Sequence, residues 1–294
     1  TPNTLGVTDE PGYVHDRNHP SPARRRGVQK PASRERPGVH AGVPVAVVLV
    51  LILRNSVKSL QNAVNEALAW LTVEPVTASA FSQARHPLQH PAFIELNQRV
   101  VVESRYRDAD FRTFWGFRVL AIDGSKVPPP DTEDVRAAFG TIAYSNGKDA
   151  RIQGERPHAL ASVLYDVLNR VALDATLGRA EADEVDLAIG HLAHTGPTDV
   201  LVMDRNDPSY RLLAELTRRQ RHFVIRCSAA SFGAARRMLQ GEGPDRHVVT
   251  LTPCAAQAPL IGRLGLPRTL TARLVRPRLS TGEWEVLVTS LCDE

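Results

Sequence analysis

The stretch FRVLAIDGSKV at 117–127 is largely apolar over its first six residues and then meets Asp123, Gly124 and Ser125. A short, nearly continuous apolar run reads as a strand buried on both faces. The aspartate, glycine and serine that follow read as turn. The pattern predicts a strand over 117–123 with a carboxylate at its very end. DVLVMDR at 199–205 repeats the arrangement, and Asp204 follows Asp123 by 81 positions. If the two strands lie side by side and parallel, Asp123 and Asp204 come within about 5 Å, one strand spacing. Bare carboxylates at that distance repel by ~3 kcal/mol at an effective dielectric of about 20. A divalent cation relieves the repulsion, and an all-oxygen donor set favours Mg2+ or Mn2+ over Zn2+. One aspartate ending a strand is ordinarily a turn former. Two of them on core strands point to metal-assisted chemistry at phosphate.

Two other readings of AIDGS fail on residue type. An aspartyl-phosphate site needs a second aspartate two positions earlier, where Ala121 stands. A phosphate-cradling loop needs more glycines and a lysine at set spacing.

Working outward, the residues after Val45 recur with helical spacing. Val57, Leu60, Val64, Leu68 and Leu71 predict an amphipathic helix of about four turns. Thr77 reads as the N-cap of a second helix, and Pro91 opens another. His86 and His90 are four apart, but Pro87 and Pro91 break the helix that would align them for a metal. Beyond 117–123, Asp131 reads as the cap of TEDVRAAFG. HALASVLYD and RVALDATLG read as an antiparallel pair. DEVDLAIGHLAH reads as a helix before the strand at 199–204, PSYRLLAELTRRQ as a helix from Pro208, and RHFVIRC as a strand. Three strands in hairpin succession followed by βαβ units predict a mixed α/β sheet covered by helices. LTARLVRPRL and WEVLVTSL read as a late hairpin turning at Gly282.

The net charge of +4 over 294 residues is unevenly distributed. Residues 1–40 carry +3, residues 41–204 carry −5, and residues 205–278 carry fourteen arginines against four acids, or +10. Arginine binds phosphate bidentately, so a polyanion such as double-stranded DNA is the expected partner. Arg205, Arg218, Arg219, Arg221, Arg236 and Arg237 are the candidate DNA contacts. Residues 1–42 are rich in Pro, Gly and Arg and lack a burial pattern, which predicts a disordered basic arm. Cys227, Cys254 and Cys292 are too widely spaced for a metal motif, and the reading is buried reduced thiols in the cytoplasm. The apolar run Val43–Leu53 contains Pro44 and is too short to span a bilayer, so no membrane partner is expected.

VTASAFSQARHPL, FRVLAIDGSKVPPPDTEDVRAAFG, SVLYDVLN, DVLVMDR and GEWEVLVTSLCD together resemble bacterial insertion-sequence family 4 transposases of the DDE class. The resemblance covers about residues 45–294. It implies a ribonuclease-H-like core, an N-terminal helical DNA-binding region and a β-rich insertion after the fifth core strand. It also implies Mg2+-dependent cut-and-paste transposition by an oligomer bound to transposon ends and target DNA. By that match Asp123 and Asp204 are the first two acids of the catalytic triad, and Arg205 is the basic residue after the second. The family reads Asp-Arg-Gly-Tyr there, whereas this chain has Asp204-Arg205-Asn206-Asp207. The family's third acid lies on a helix, within Tyr-x2-Arg-x3-Glu-x6-Lys, a segment this chain does not contain. The expected layout is a basic arm at 1–42, a helical region at 43–106, a core at 107–230 and an incomplete β-rich insertion at 231–294.

The leading expectation is therefore a transposase truncated before its third acid and inactive as it stands. The alternative is a non-catalytic DNA-binding remnant. A nuclease of the same fold that recruits another acid is a third reading. Glu215 is eleven residues past Asp204, on a helix face expected to be solvated.

Overall fold

The computed structural model describes residues 43–54, 58–71, 74–107, 110–144, 154–204 and 209–292. The arm at 1–42 and Arg205 lie outside them. The chain divides into two compact units, Thr1–Pro87 and Leu88–Glu294.

In the first unit, α1 (Val45–Leu53), α2 (Leu60–Leu71) and α3 (Ala78–Arg85) enclose Val47, Val48, Val64, Leu68 and Phe81. The helix predicted to run from Val57 begins at Leu60 and is 12 residues long. Thr77 caps α3 by accepting a hydrogen bond from the Ala80 amide. Gln61 of α2 ties the connection down, donating to the Val76 carbonyl at 3.0 Å and accepting from the Ala78 amide at 2.7 Å.

The second unit opens with α4 (Pro91–Leu96), which runs through a π-helical stretch (Asn97–Val102) into α5 (Glu103–Arg107). There follow β1 (Arg118–Val127), α6 (Glu133–Phe139), β2 (Thr141–Tyr144), β3 (Gly154–Pro157), β4 (Ala159–Asp166), β5 (Val171–Arg179), α7 (Glu184–His191) and β6 (Asp199–Met203). The remainder is α8 (Tyr210–Arg218), β7 (His222–Arg226), α9 (Gly233–Leu239), β8 (Arg246–Leu251), α10 (Ala258–Arg263), β9 (Leu270–Val275) and β10 (Leu287–Thr289). Eight strands form one mixed sheet in the order β5-β4-β1-β6-β7-β10-β9-β8, and β2 pairs with β3 in a separate ribbon. β1, β4 and β5 are an antiparallel meander, while β6 and β7 run parallel to β1. Apolar side chains of β1, β6 and β7 share one core cluster with Ala188, Leu192, Leu212, Leu213 and Leu216 of the covering helices.

Several boundaries differ from the sequence reading. Helices α4 and α5, expected in the N-terminal region, belong to the second unit. Asn97 and Gln98 donate to the Ala172 and Leu173 carbonyls of edge strand β5 at 2.9 and 2.6 Å, and Tyr106 donates to Asp166 at 2.6 Å. Strands β8, β9 and β10 extend the main sheet, because β10 pairs directly with β7. The cap of α6 is Thr132, since Asp131 is drawn into a two-pronged pair with Arg136. Ser209 caps α8, which begins two residues after Pro208. Cys227 is buried as expected, but Cys254 is exposed. Burial pushes the Cys227 thiol up to about 12.

Candidate functional site

The parallel register pairs Arg118 with Asp199, Val119 with Val200, Leu120 with Leu201 and Ala121 with Val202. Carried two residues past that last pair, the register puts Asp123 and Asp204 at corresponding positions, although β6 itself ends at Met203. Side chains alternate along a strand. Leu120 and Ile122 are buried, so Asp123 takes the opposite face of β1; Asp123 and Asp204 are both exposed. The β1–β6 pairing itself stops two residues short of both aspartates.

The local setting of Asp123 is different from the one expected. It does not end a strand on a turn. β1 continues to Val127 because residues 123–127 pair with Val163 through Ala159 of β4. Asp123 stands where β1 loses its neighbour on one side and keeps it on the other. Asp204, by contrast, does follow the last residue of β6.

A guanidinium completes this edge. Arg226, at the end of β7, places Nη1 3.6 Å from Asp204 Oδ1 and Nη2 2.5 Å from Glu285 Oε1. The sequence reading missed both residues. The signal was available only once β7 was laid in register beside β6, with Ile225 opposite Met203. Among the described residues no group of three or more His, Cys, Asp or Glu side chains is gathered to hold a metal. Two carboxylates are nevertheless a fitting donor set for Mg2+, which keeps several waters and takes one or two protein carboxylates plus substrate phosphate.

The arginine candidates separate into two groups. Arg218, Arg219 and Arg221 lie around the start of β7, five strand residues before Arg226 and so roughly 16 Å from it along the strand. They are also engaged. Arg218 and Arg219 reach Glu215 Oε2 at 2.7 and 3.5 Å, and Arg221 donates to Thr195 and to the Arg219 carbonyl. Glu215, expected to be solvated, is 9% exposed, because α8 buries nearly its whole circumference. Its Oε2 is shared by the two arginines Arg218 and Arg219. Arg236 and Arg237 follow β7 instead. Arg236 donates to the Ala229 carbonyl at 2.8 Å. Arg237 lines a cavity of about 660 Å³ with Ser209, Ser228, Phe232 and Thr250.

A second polar cluster had no local motif to betray it. His191 of α7 meets Asp174 of β5 through Nδ1 at 2.7 Å and Ser162 of β4 through Nε2 at 3.0 Å. The His191 hydrogen bond, followed by the charge of His194 against opposing burial, holds the Asp174 carboxyl below its usual range. The order Ser–His–Asp suits nucleophilic chemistry, but the space beside Ser162 is only about 10 Å³, room for one water at most. The cluster ties α7 to β4 and β5.

No protein-family model matches the chain, and a search of curated proteins likewise gives no match.

Proposed function

We propose that this chain is a DNA transposase of the insertion-sequence family 4 DDE type, a phosphoryl transferase acting on double-stranded DNA as a homo-oligomer. The observation that carries the reading is the parallel β1–β6 register, which, extended by two residues beyond Ala121–Val202, aligns the exposed Asp123 and Asp204. The meander β5-β4-β1 followed by parallel β6 and β7 supports a ribonuclease-H-like core, in which hairpin-linked strands are followed by strands joined through helices. Mg2+ or Mn2+, when bound, polarises a scissile phosphate and activates water or a 3′-hydroxyl. Asp123 and Asp204 are its protein donors. Arg226 sets a cation beside them for phosphate charge, and Glu285 orients that guanidinium. Arg237 offers a second cation at the same end of the sheet. Glu215 and Glu285 are both paired with arginine. Among the described residues no helix is long and apolar enough to cross a membrane.

Anisotropy of a labelled duplex tests the reading. Mn2+ should tighten binding relative to EDTA, and Asp123→Asn or Asp204→Asn should remove the gain. In EDTA the affinity should fall steeply with salt as counterions are released. Binding that ignores Mn2+ in the unaltered chain would contradict the metal centre, and a flat salt response would contradict phosphate contacts.

A further inference from the structure

At the opposite end of β1 the chain makes a tight turn, Phe114-Trp115-Gly116-Phe117. Phe114 N–H donates to the Phe117 carbonyl at 2.8 Å, and Phe117 N–H returns to Phe114 at 3.0 Å. Both central residues have positive φ, 49° at Trp115 and 82° at Gly116. A two-residue turn of this kind is most stable as Asn-Gly or Asp-Gly. A tryptophan in the left-handed region is strained, and here it gains no burial in return. Trp115 is 85% exposed and Phe114 is 54% exposed, and their rings stack with centroids 4.7 Å apart.

The turn is rigidly held. Asn169 grips the main chain of Arg112, accepting from its amide at 2.7 Å and donating to its carbonyl at 3.0 Å. Asn169 is itself fixed by Asp166 and Arg105. The next residue, Arg170, belongs to the β4–β5 turn, which sits against β1 through the Val167 amide and the Val119 carbonyl. Arg112 and Arg170 are exposed, and neither guanidinium has a hydrogen-bond or ion-pair partner among the described residues. The exposed acid of residues 110–118 is Asp110. A locally unfavourable residue that adds nothing to folding marks a place where function sets the choice.

We propose that this edge binds an unpaired nucleic-acid strand, with a base stacked on the open face of Trp115 and phosphates taken by Arg112 and Arg170. Flat base faces are hidden inside a duplex and available in a single strand, where stacking on an aromatic ring tolerates any sequence. The site is independent of the carboxylate pair: it lies at the other end of β1 and needs no metal.

The test is anisotropy of labelled oligothymidylate and oligouridylate strands with the 294-residue chain in EDTA. Trp115→Asn is the informative variant, because asparagine suits the turn and removes the ring. It should raise Tm while weakening single-strand binding about tenfold, and Trp115→Phe should stay within about threefold. Abasic strands should lose the same increment, and the tighter of the two oligonucleotides identifies DNA or RNA as the source. Unchanged binding by Trp115→Asn overturns the proposal. So does a Trp115→Asn variant that loses self-association in sedimentation yet keeps its oligonucleotide affinity, for the turn would then be an interface between copies.

Discussion

The two ends of the β1–β6 pair carry acids in very different company. At the start, Asp199 is 1% exposed, and Arg118 meets it with two hydrogen bonds of 2.8 and 2.7 Å. At the finish, Asp123 and Asp204 are both exposed, and Arg226 of β7 approaches Asp204 at 3.6 Å. Both pairs are separated by 81 residues, so one register sets both. The buried pair is a lock: a slip by one residue would reverse the side-chain faces and part Arg118 from Asp199. The exposed pair is what the lock positions.

Breaking the lock is the largest expected effect. Arg118→Ala leaves Asp199 buried with the Gly196 amide as its remaining donor among the described residues, and removal of one partner of a buried pair typically costs about 3–5 kcal/mol. Urea unfolding should show a loss of that order. A loss below about 1 kcal/mol would mean that apolar packing alone holds the register.

The next effect comes from the Ser162–His191–Asp174 cluster, which anchors α7 to the strands beside β1. His191→Ala should cost about 1–3 kcal/mol, since it strands a buried hydroxyl and a partly buried carboxylate. The pH dependence has a definite sign. The folded Asp174 carboxyl is held below its ordinary value of 3.8, so its contribution is present above that value and lost as pH falls through the folded one. Asp174→Asn should therefore flatten the acid limb of the stability curve. An unchanged acid limb would show that other carboxylates govern it.

Arg226→Ala should have the smallest effect on stability. It loses a 3.6 Å contact with exposed Asp204 and a 2.5 Å pair with Glu285, and the guanidinium's own exposure keeps the total to about 1–2 kcal/mol. Its effect on ligands should be plain and opposite in sign: tighter Mn2+, with one less cation nearby, and weaker duplex DNA. Loss of both affinities would identify Arg226 as a structural support of the carboxylates.

Much of this was legible from the chain. The strands around Asp123 and Asp204, the β4–β5 hairpin and the α7, β6, α8, β7 succession follow from hydrophobic periodicity and cap residues. Their adjacency needed only the handed, short-connection rules of α/β sheets. What stayed hidden depends on long-range pairing. Gly124 and Ser125 look like turn residues, yet β4 supplies partners that carry β1 on to Val127. Glu215 looks solvated on a helical wheel, but α8 is covered nearly all round. Arg226 and Glu285 are 59 residues apart in sequence and meet only because β10 inserts beside β7. Nor could periodicity tell which arginines of the +10 block lie at the carboxylate end of the sheet.

The most direct test of the carboxylate pair is thermal unfolding of the chain across a Mn2+ titration, with Asp123→Asn, Asp204→Asn and Glu242→Gln alongside. Glu242 is exposed and distant in sequence from both aspartates, so its variant controls for nonspecific cation effects. An ion held at ten times its dissociation constant adds about 1.4 kcal/mol to stability by linkage. Tm should therefore climb by a few degrees in the unaltered chain and in Glu242→Gln, and stay flat in both aspartate variants. An equal climb in Asp123→Asn would show that the two carboxylates do not share an ion, and the account of the β1–β6 register as a metal-positioning device would be wrong.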